Sequence, residues 1–90
     1  MQKWRRGVVV RAMARDLDVI PGLSERPPHP DVFVLENPPP RSGFDRTTYF
    51  DLRDVNFPLV DGVEVIGAFP LARFRELRRM LADLGVVAPG

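Results

Sequence analysis

Ninety residues make one domain, 1–90, that buries only about 60–65% of its unfolded surface, so the chain is marginal as a monomer and a homodimer or other protein partner is expected. The absence of cysteine excludes disulfides, thiolate metal sites and a cysteine nucleophile. There is no secretory h-region and no apolar run of bilayer length, which excludes a spanning helix and gives a cytoplasmic expectation, or a virion one for a phage protein.

The formal net charge of +1 conceals a segregation of charge. Residues 1–15 hold Lys3, Arg5, Arg6, Arg11 and Arg15 and no acid, whereas residues 16–72 hold four arginines against ten acids; the C-terminal segment is basic again. Such separation allows a basic face on a nearly neutral protein.

In chain order, residues 1–6 read as a basic arm. Trp4–Met13 alternates, and the Val8-Val9-Val10 run favours a strand over a helix built on Val9, Met13 and Leu17. The strand continues or folds back through Leu17-Asp18-Val19-Ile20 until Pro21-Gly22 ends it. Residues 21–30 are a loop, because Pro27, Pro28 and Pro30 remove donors and hold their neighbours extended. Asp31–Glu36 is a short buried strand. Residues 37–45 form a second loop, with Pro38-Pro39-Pro40 in polyproline II and Arg41-Ser42-Gly43 turning. A long strand follows Arg46, and the parity change between Phe50-Leu52 and Val55-Phe57-Leu59 calls for a bulge near Arg53-Asp54 or for cover on both faces.

The spacing then predicts a hairpin. A two-residue turn at Asp61-Gly62 would set the donor-less Pro58 at a hydrogen-bonded position, so a three-residue loop, Val60-Asp61-Gly62, is preferred. With Gly62 left-handed, Val55, Phe57, Leu59, Val63 and Val65 share one apolar face. A helix over 70–84 closes the chain: Pro70 suits its first position, Leu71, Phe74, Leu77, Leu81 and Leu84 form one stripe, and Gly85 and Val86 suit a Schellman ending. Arg79 and Asp83 are one turn apart and can pair. The fold class is therefore α+β: a small antiparallel sheet of four or five strands with one C-terminal amphipathic helix packed on it.

The sequence offers no catalytic or metal-binding constellation. His29 stands alone in a proline loop without an expected partner; Asp16 with Asp18, and Asp51 with Asp54, lack a third ligand. No phosphate loop or nucleophile elbow occurs, so the chain reads as non-enzymatic and without cofactor. What stands out is arginine beside aromatic residues: Trp4 with Arg5, Arg6 and Arg11; Tyr49 with Arg46 and Arg53; and Arg75, Arg78 and Arg79 on the helix. Guanidinium groups neutralise phosphates while aromatic faces stack on bases, the combination that holds single-stranded nucleic acid.

Thr48-Tyr49-Phe50-Asp51-Leu52-Arg53-Asp54, a hairpin, Gly67 and a helix carrying Leu77-Arg78-Arg79-Met80-Leu81 make residues 46–84 resemble the positive cofactor four family of transcriptional coactivators. The resemblance implies a dimer with a curved antiparallel sheet that binds single-stranded DNA, a phosphate contact for Arg53 and a structural role for Asp51. Where that family has lysines before the glycine, this chain has Val63-Glu64-Val65-Ile66. The sequence thus points to a nucleic-acid-binding or transcription-associated accessory protein. The alternative is an interaction module, such as a virion component or a small subunit, docking through its basic N-terminal segment and proline loops.

Overall fold

The computed structural model describes residues 5–86 and has the expected α+β architecture. One open antiparallel sheet is built from β1 (Gly7–Ala12), β2 (Leu17–Leu23), β3 (Val32–Leu35) and β4 (Thr48–Asp51), in the order β1-β2-β4-β3. A single helix, α1 (Leu71–Asp83), lies across one face. No helix among the described residues is long and apolar enough to cross a membrane.

β1 and β2 form the first hairpin, with a bulge at Val10, since Val9 faces Val19 while Arg11 faces Asp18. Val8 and Val10 are both buried. Arg6, expected in a loose arm, has its carbonyl bound by the Gly22 N–H at 2.8 Å, so the sheet begins to hold the chain there. β2 is also longer than expected and runs through Pro21-Gly22. Pro21 lies opposite Gly7 on β1, while Gly22 and Leu23 pair with Phe50 and Tyr49 of β4. The first proline loop therefore starts at Ser24. β3 and β4 pair from Val32–Asp51 to Leu35–Thr48. Between them Pro39 is extended (φ −68°, ψ 155°), Pro40–Ser42 makes one 3₁₀ turn and Gly43 has φ 83°, so the loop turns where expected, but Pro40 belongs to the turn and not to the polyproline II run assigned to it.

The hairpin expected over residues 55–65 does not form. After β4 the chain turns at Leu52-Arg53, where the Asp54 N–H reaches the Asp51 carbonyl at 3.0 Å. Residues 56–59 then run beside β2, making isolated bridges Val19–Asn56 and Asp16–Leu59. Val19 and Asn56 exchange both backbone bonds at 2.8 Å. Two residues on, the Leu17 N–H reaches the Pro58 carbonyl at 3.1 Å, but proline has no hydrogen to return, so that rung is single, as is the next, from the Val60 N–H to the Arg15 carbonyl at 2.9 Å. Val60–Gly62 is a 3₁₀ turn. Only Gly43 and Gly85 among the described glycines have positive φ, so Gly62 is not the left-handed residue of a three-residue loop. The five alternating apolar residues share no buried face: Phe57 is 69% exposed and Val65 84%. The strand ending at Gly67 that the family resemblance implies is likewise not formed.

The helix follows its sequence closely. Pro70 is the N-cap rather than the first helical residue, and its carbonyl accepts the Phe74 N–H at 2.8 Å. At the other end Gly85, with φ 74°, donates to the Ala82 carbonyl (3.0 Å) and Val86 to the Leu81 carbonyl (2.9 Å). These are the two bonds of a Schellman motif, which needs the left-handed residue that glycine supplies without strain. Only the middle of the apolar stripe is buried. Leu77 and Leu81 are fully enclosed against Val8, Val10, Ile20, Phe33, Leu35, Phe50 and Leu52, each worth about 1.5–3 kcal/mol of transfer free energy. Phe74 is half-buried and Leu71 and Leu84 are exposed. Phe69 and Phe74 join Phe33, Phe44 and Phe50 in a ring cluster with centroids 5.6–6.4 Å apart.

Candidate nucleic-acid interface

α1 is fastened across the sheet by arginines at both edges. Arg73 donates to the Val34 carbonyl on edge strand β3, packs over the Phe33 ring at 4.6 Å and pairs with Glu76. Arg78 donates to the Val10 carbonyl on edge strand β1. Arg78 is thus partly spent inside the fold, where the sequence suggested only an outward contact. On α1, among the described residues, the ion pair is Arg73–Glu76 rather than Arg79–Asp83.

The bulged end of β1 and α1 flank a groove of about 760 Å³. Its apolar floor is Val10, Ala12, Leu71, Phe74 and Ala82. Arg11 comes from β1 and Arg75, Arg78 and Arg79 come from successive turns of α1, against one acid, Asp83. Arg11, Arg75 and Arg79 are exposed and Arg78 is half-buried. Four of the arginines singled out in the sequence are therefore brought together, although some sixty residues of chain separate Arg11 from the three on α1. At short range a groove carrying this charge over an apolar floor attracts anionic, partly apolar ligands.

The other candidates are dispersed. Arg6 and Arg46 approach one another because both approach Asp45, with Arg6 Nη1 and Arg46 Nε at 3.8 and 3.6 Å from Asp45 Oδ1. All three side chains are well exposed, so the pairs add little to stability. They border a smaller cleft of about 230 Å³ with Phe44 and Thr48. Tyr49 is half-buried on β4, between Leu23 and Val34 in register. Arg5 is exposed, and Trp4 lies outside the described residues.

Arg53 does not stand free. Its Nε and Nη2 lie 2.8 and 2.7 Å from Asp31 Oδ2, and its N–H donates to Asp51 Oδ1 at 2.9 Å. His29, expected to stand without a partner, completes this group. Its Nδ1 accepts the Asp31 N–H at 3.1 Å, so in the neutral ring the proton is on Nε2, which lies 3.0 Å from Asp51 Oδ1. That approach does not meet the geometry of a hydrogen bond, which leaves Nε2 without an acceptor among the described residues. Burial alone would raise the Asp51 carboxyl, but the Arg53 N–H, His29 and the Arg53 charge together outweigh it and hold the group below its ordinary value. The His29–Asp31 bond, two residues apart, is a local signal that His29-Pro30-Asp31 carries; Asp51 as the third member is a product of the β3–β4 pairing.

Asp18 is buried with Oδ1 unpartnered, and no three of the described His, Asp and Glu residues gather as metal ligands do. The chain matches no protein-family model, no curated protein and no solved structure.

Proposed function

We propose that the protein is a small, non-enzymatic nucleic-acid-binding accessory module and that the groove between β1 and α1 receives the strand. The observation that carries this reading is the convergence of Arg11, Arg75, Arg78 and Arg79 on one groove whose only acid among the described residues is Asp83. Phosphates would run along the exposed guanidiniums of Arg11, Arg75 and Arg79, while Phe74 and Leu71 give bases or sugars an apolar surface. Nothing in the groove reads base edges through a fixed donor–acceptor pattern, so the expected binding is tolerant of sequence.

Titration of a fluorescent single-stranded oligonucleotide at two salt concentrations tests this. Three phosphate contacts to a single strand give a slope near −2 in log–log form, so affinity should fall roughly twentyfold between about 50 and 200 mM salt. Absence of binding at the lower salt, or binding with no salt dependence, would refute the proposal.

A further inference from the structure

The strap that fails to become a hairpin has a chemistry opposite to that of the groove. From Asp54 to Ile66 it carries Asp54, Asp61 and Glu64, and no basic residue stands between Arg53 and Arg73. All three acids are exposed. Interleaved with them are apolar side chains held out of the core: Phe57 at 69% exposure, Leu59 at 64%, Val65 at 84% and Ile66 at 56%. Large apolar groups in such a row on a small protein mark a surface that another molecule covers. Val63 has the backbone of an extended strand (φ −125°, ψ 134°), and the stretch 63–67 joins no sheet. It presents Glu64, Val65 and Ile66 to solvent, with Val63 half-buried.

The groove shows the converse: exposed Leu71 and half-buried Phe74 between Arg11, Arg75 and Arg79. No strap residue of the same chain lines it. We infer that the strap Asp54–Ile66 of one copy docks in the β1–α1 groove of a second copy, with Asp61 and Glu64 facing Arg75 and Arg79 and the strap's apolar side chains covering Leu71 and Phe74. Complementary charge fixes the direction of such a contact and rejects strap-to-strap or groove-to-groove pairing, where like charges would meet. The interface is heterologous, so it grows into chains or closes as a ring, unlike a two-fold dimer. It uses the groove that the proposed nucleic-acid reading uses, and strand and strap exclude one another there.

The test is sedimentation velocity of the full chain over a wide range of concentration, with two charge-reversed variants. One carries Asp61→Arg and Glu64→Arg, the other Arg75→Glu and Arg79→Glu; all four positions are exposed, and Asp61→Asn with Glu64→Gln provides a milder pair. The wild type should associate with concentration and dissociate with salt. Each reversed variant alone should associate at least roughly tenfold more weakly, because two attractions become two repulsions, and the neutral pair by less. An equimolar mixture of the two reversed variants should regain association, since each now complements the other. A wild type monomeric throughout, reversed variants that associate undiminished, or a mixture that stays monomeric would overturn the inference. The strap takes no part in holding an oligonucleotide, so the strap variant separates the two readings: loss of self-association with oligonucleotide binding retained supports the inference, whatever the wild type's affinity for the strand.

Discussion

Two glycines five positions apart, Gly62 and Gly67, should respond oppositely to a methyl group. A Cβ on Gly67 would lie 2.5 Å from the Arg41 carbonyl oxygen, 2.6 Å from the Ser42 carbonyl carbon and 2.7 Å from the Gly43 nitrogen, where ordinary contact needs about 3.5 Å or more. All three are backbone atoms and cannot swing aside. Their segment is tied by Ser42, whose N–H and Oγ both reach the Pro39 carbonyl (3.0 and 2.7 Å) and whose Oγ accepts the Phe44 N–H (3.2 Å). Phe44 in turn belongs to the ring cluster. If residue 67 yields instead, the Ala68 N–H loses the Arg41 carbonyl, now 2.7 Å away, and Phe69 is pulled outward. Overpacking of about 1–3 kcal/mol and a lost hydrogen bond of about 1 kcal/mol give ~2–4 kcal/mol for Gly67→Ala. A ninety-residue domain has only about 5–13 kcal/mol in all. The melting temperature should therefore drop by roughly 10–30 °C. Around Gly62 a Cβ would meet nothing within 4 Å, and its φ is not positive. Gly62→Ala should hold or slightly raise stability, by up to about 1 kcal/mol, through the unfolded chain. Thermal unfolding followed by circular dichroism measures both. Equal melting temperatures, or a greater loss at Gly62, would refute the placement of residues 62–67.

Leu77→Ala should cost about 2–5 kcal/mol, because the side chain is wholly enclosed. Leu71→Ala should leave unfolding almost unchanged, since Leu71 is 63% exposed; denaturant titration distinguishes the two. Because the folded-state carboxyl of Asp51 lies below its ordinary 3.8, its contribution to stability is complete above that value and is lost as pH falls through the lowered one. Asp51→Asn should remove that part of the acid dependence, seen as a flatter melting temperature against pH in the acid range. Replacing Arg75 and Arg79 together by Ala should weaken oligonucleotide binding and lower the magnitude of the salt slope by roughly 1.4, while leaving melting nearly unchanged. An unaltered slope would place the strand elsewhere.

Much of the fold was legible because it is governed by contacts near in sequence. The helix came with its stripe, and its ending was legible as well, since Gly85 and Val86 bond back only three to five residues. The proline loop's 3₁₀ turn and the valine-rich β1 are local in the same sense. His29-Pro30-Asp31 held half of its own arrangement, the bond from the Asp31 N–H.

What the sequence could not determine was which surface would receive an apolar residue. Val55, Phe57, Leu59, Val63 and Val65 have a strand's alternation, but alternation states only that side chains point to two sides. Whether one side is a core depends on a partner strand, and here the partner is β2, about forty residues upstream, whose β1 neighbour already occupies one edge while Pro58 leaves the pairing on the other as isolated bridges. The core was instead completed by Phe44 and Phe69, from segments without periodicity. Arg11 and the helix arginines likewise became one groove only when α1 crossed the sheet to β1, with Arg78 bound to the Val10 carbonyl. Caps and turns are fixed by bonds over a few residues, whereas burial and the gathering of charge depend on which distant segments the chain brings face to face.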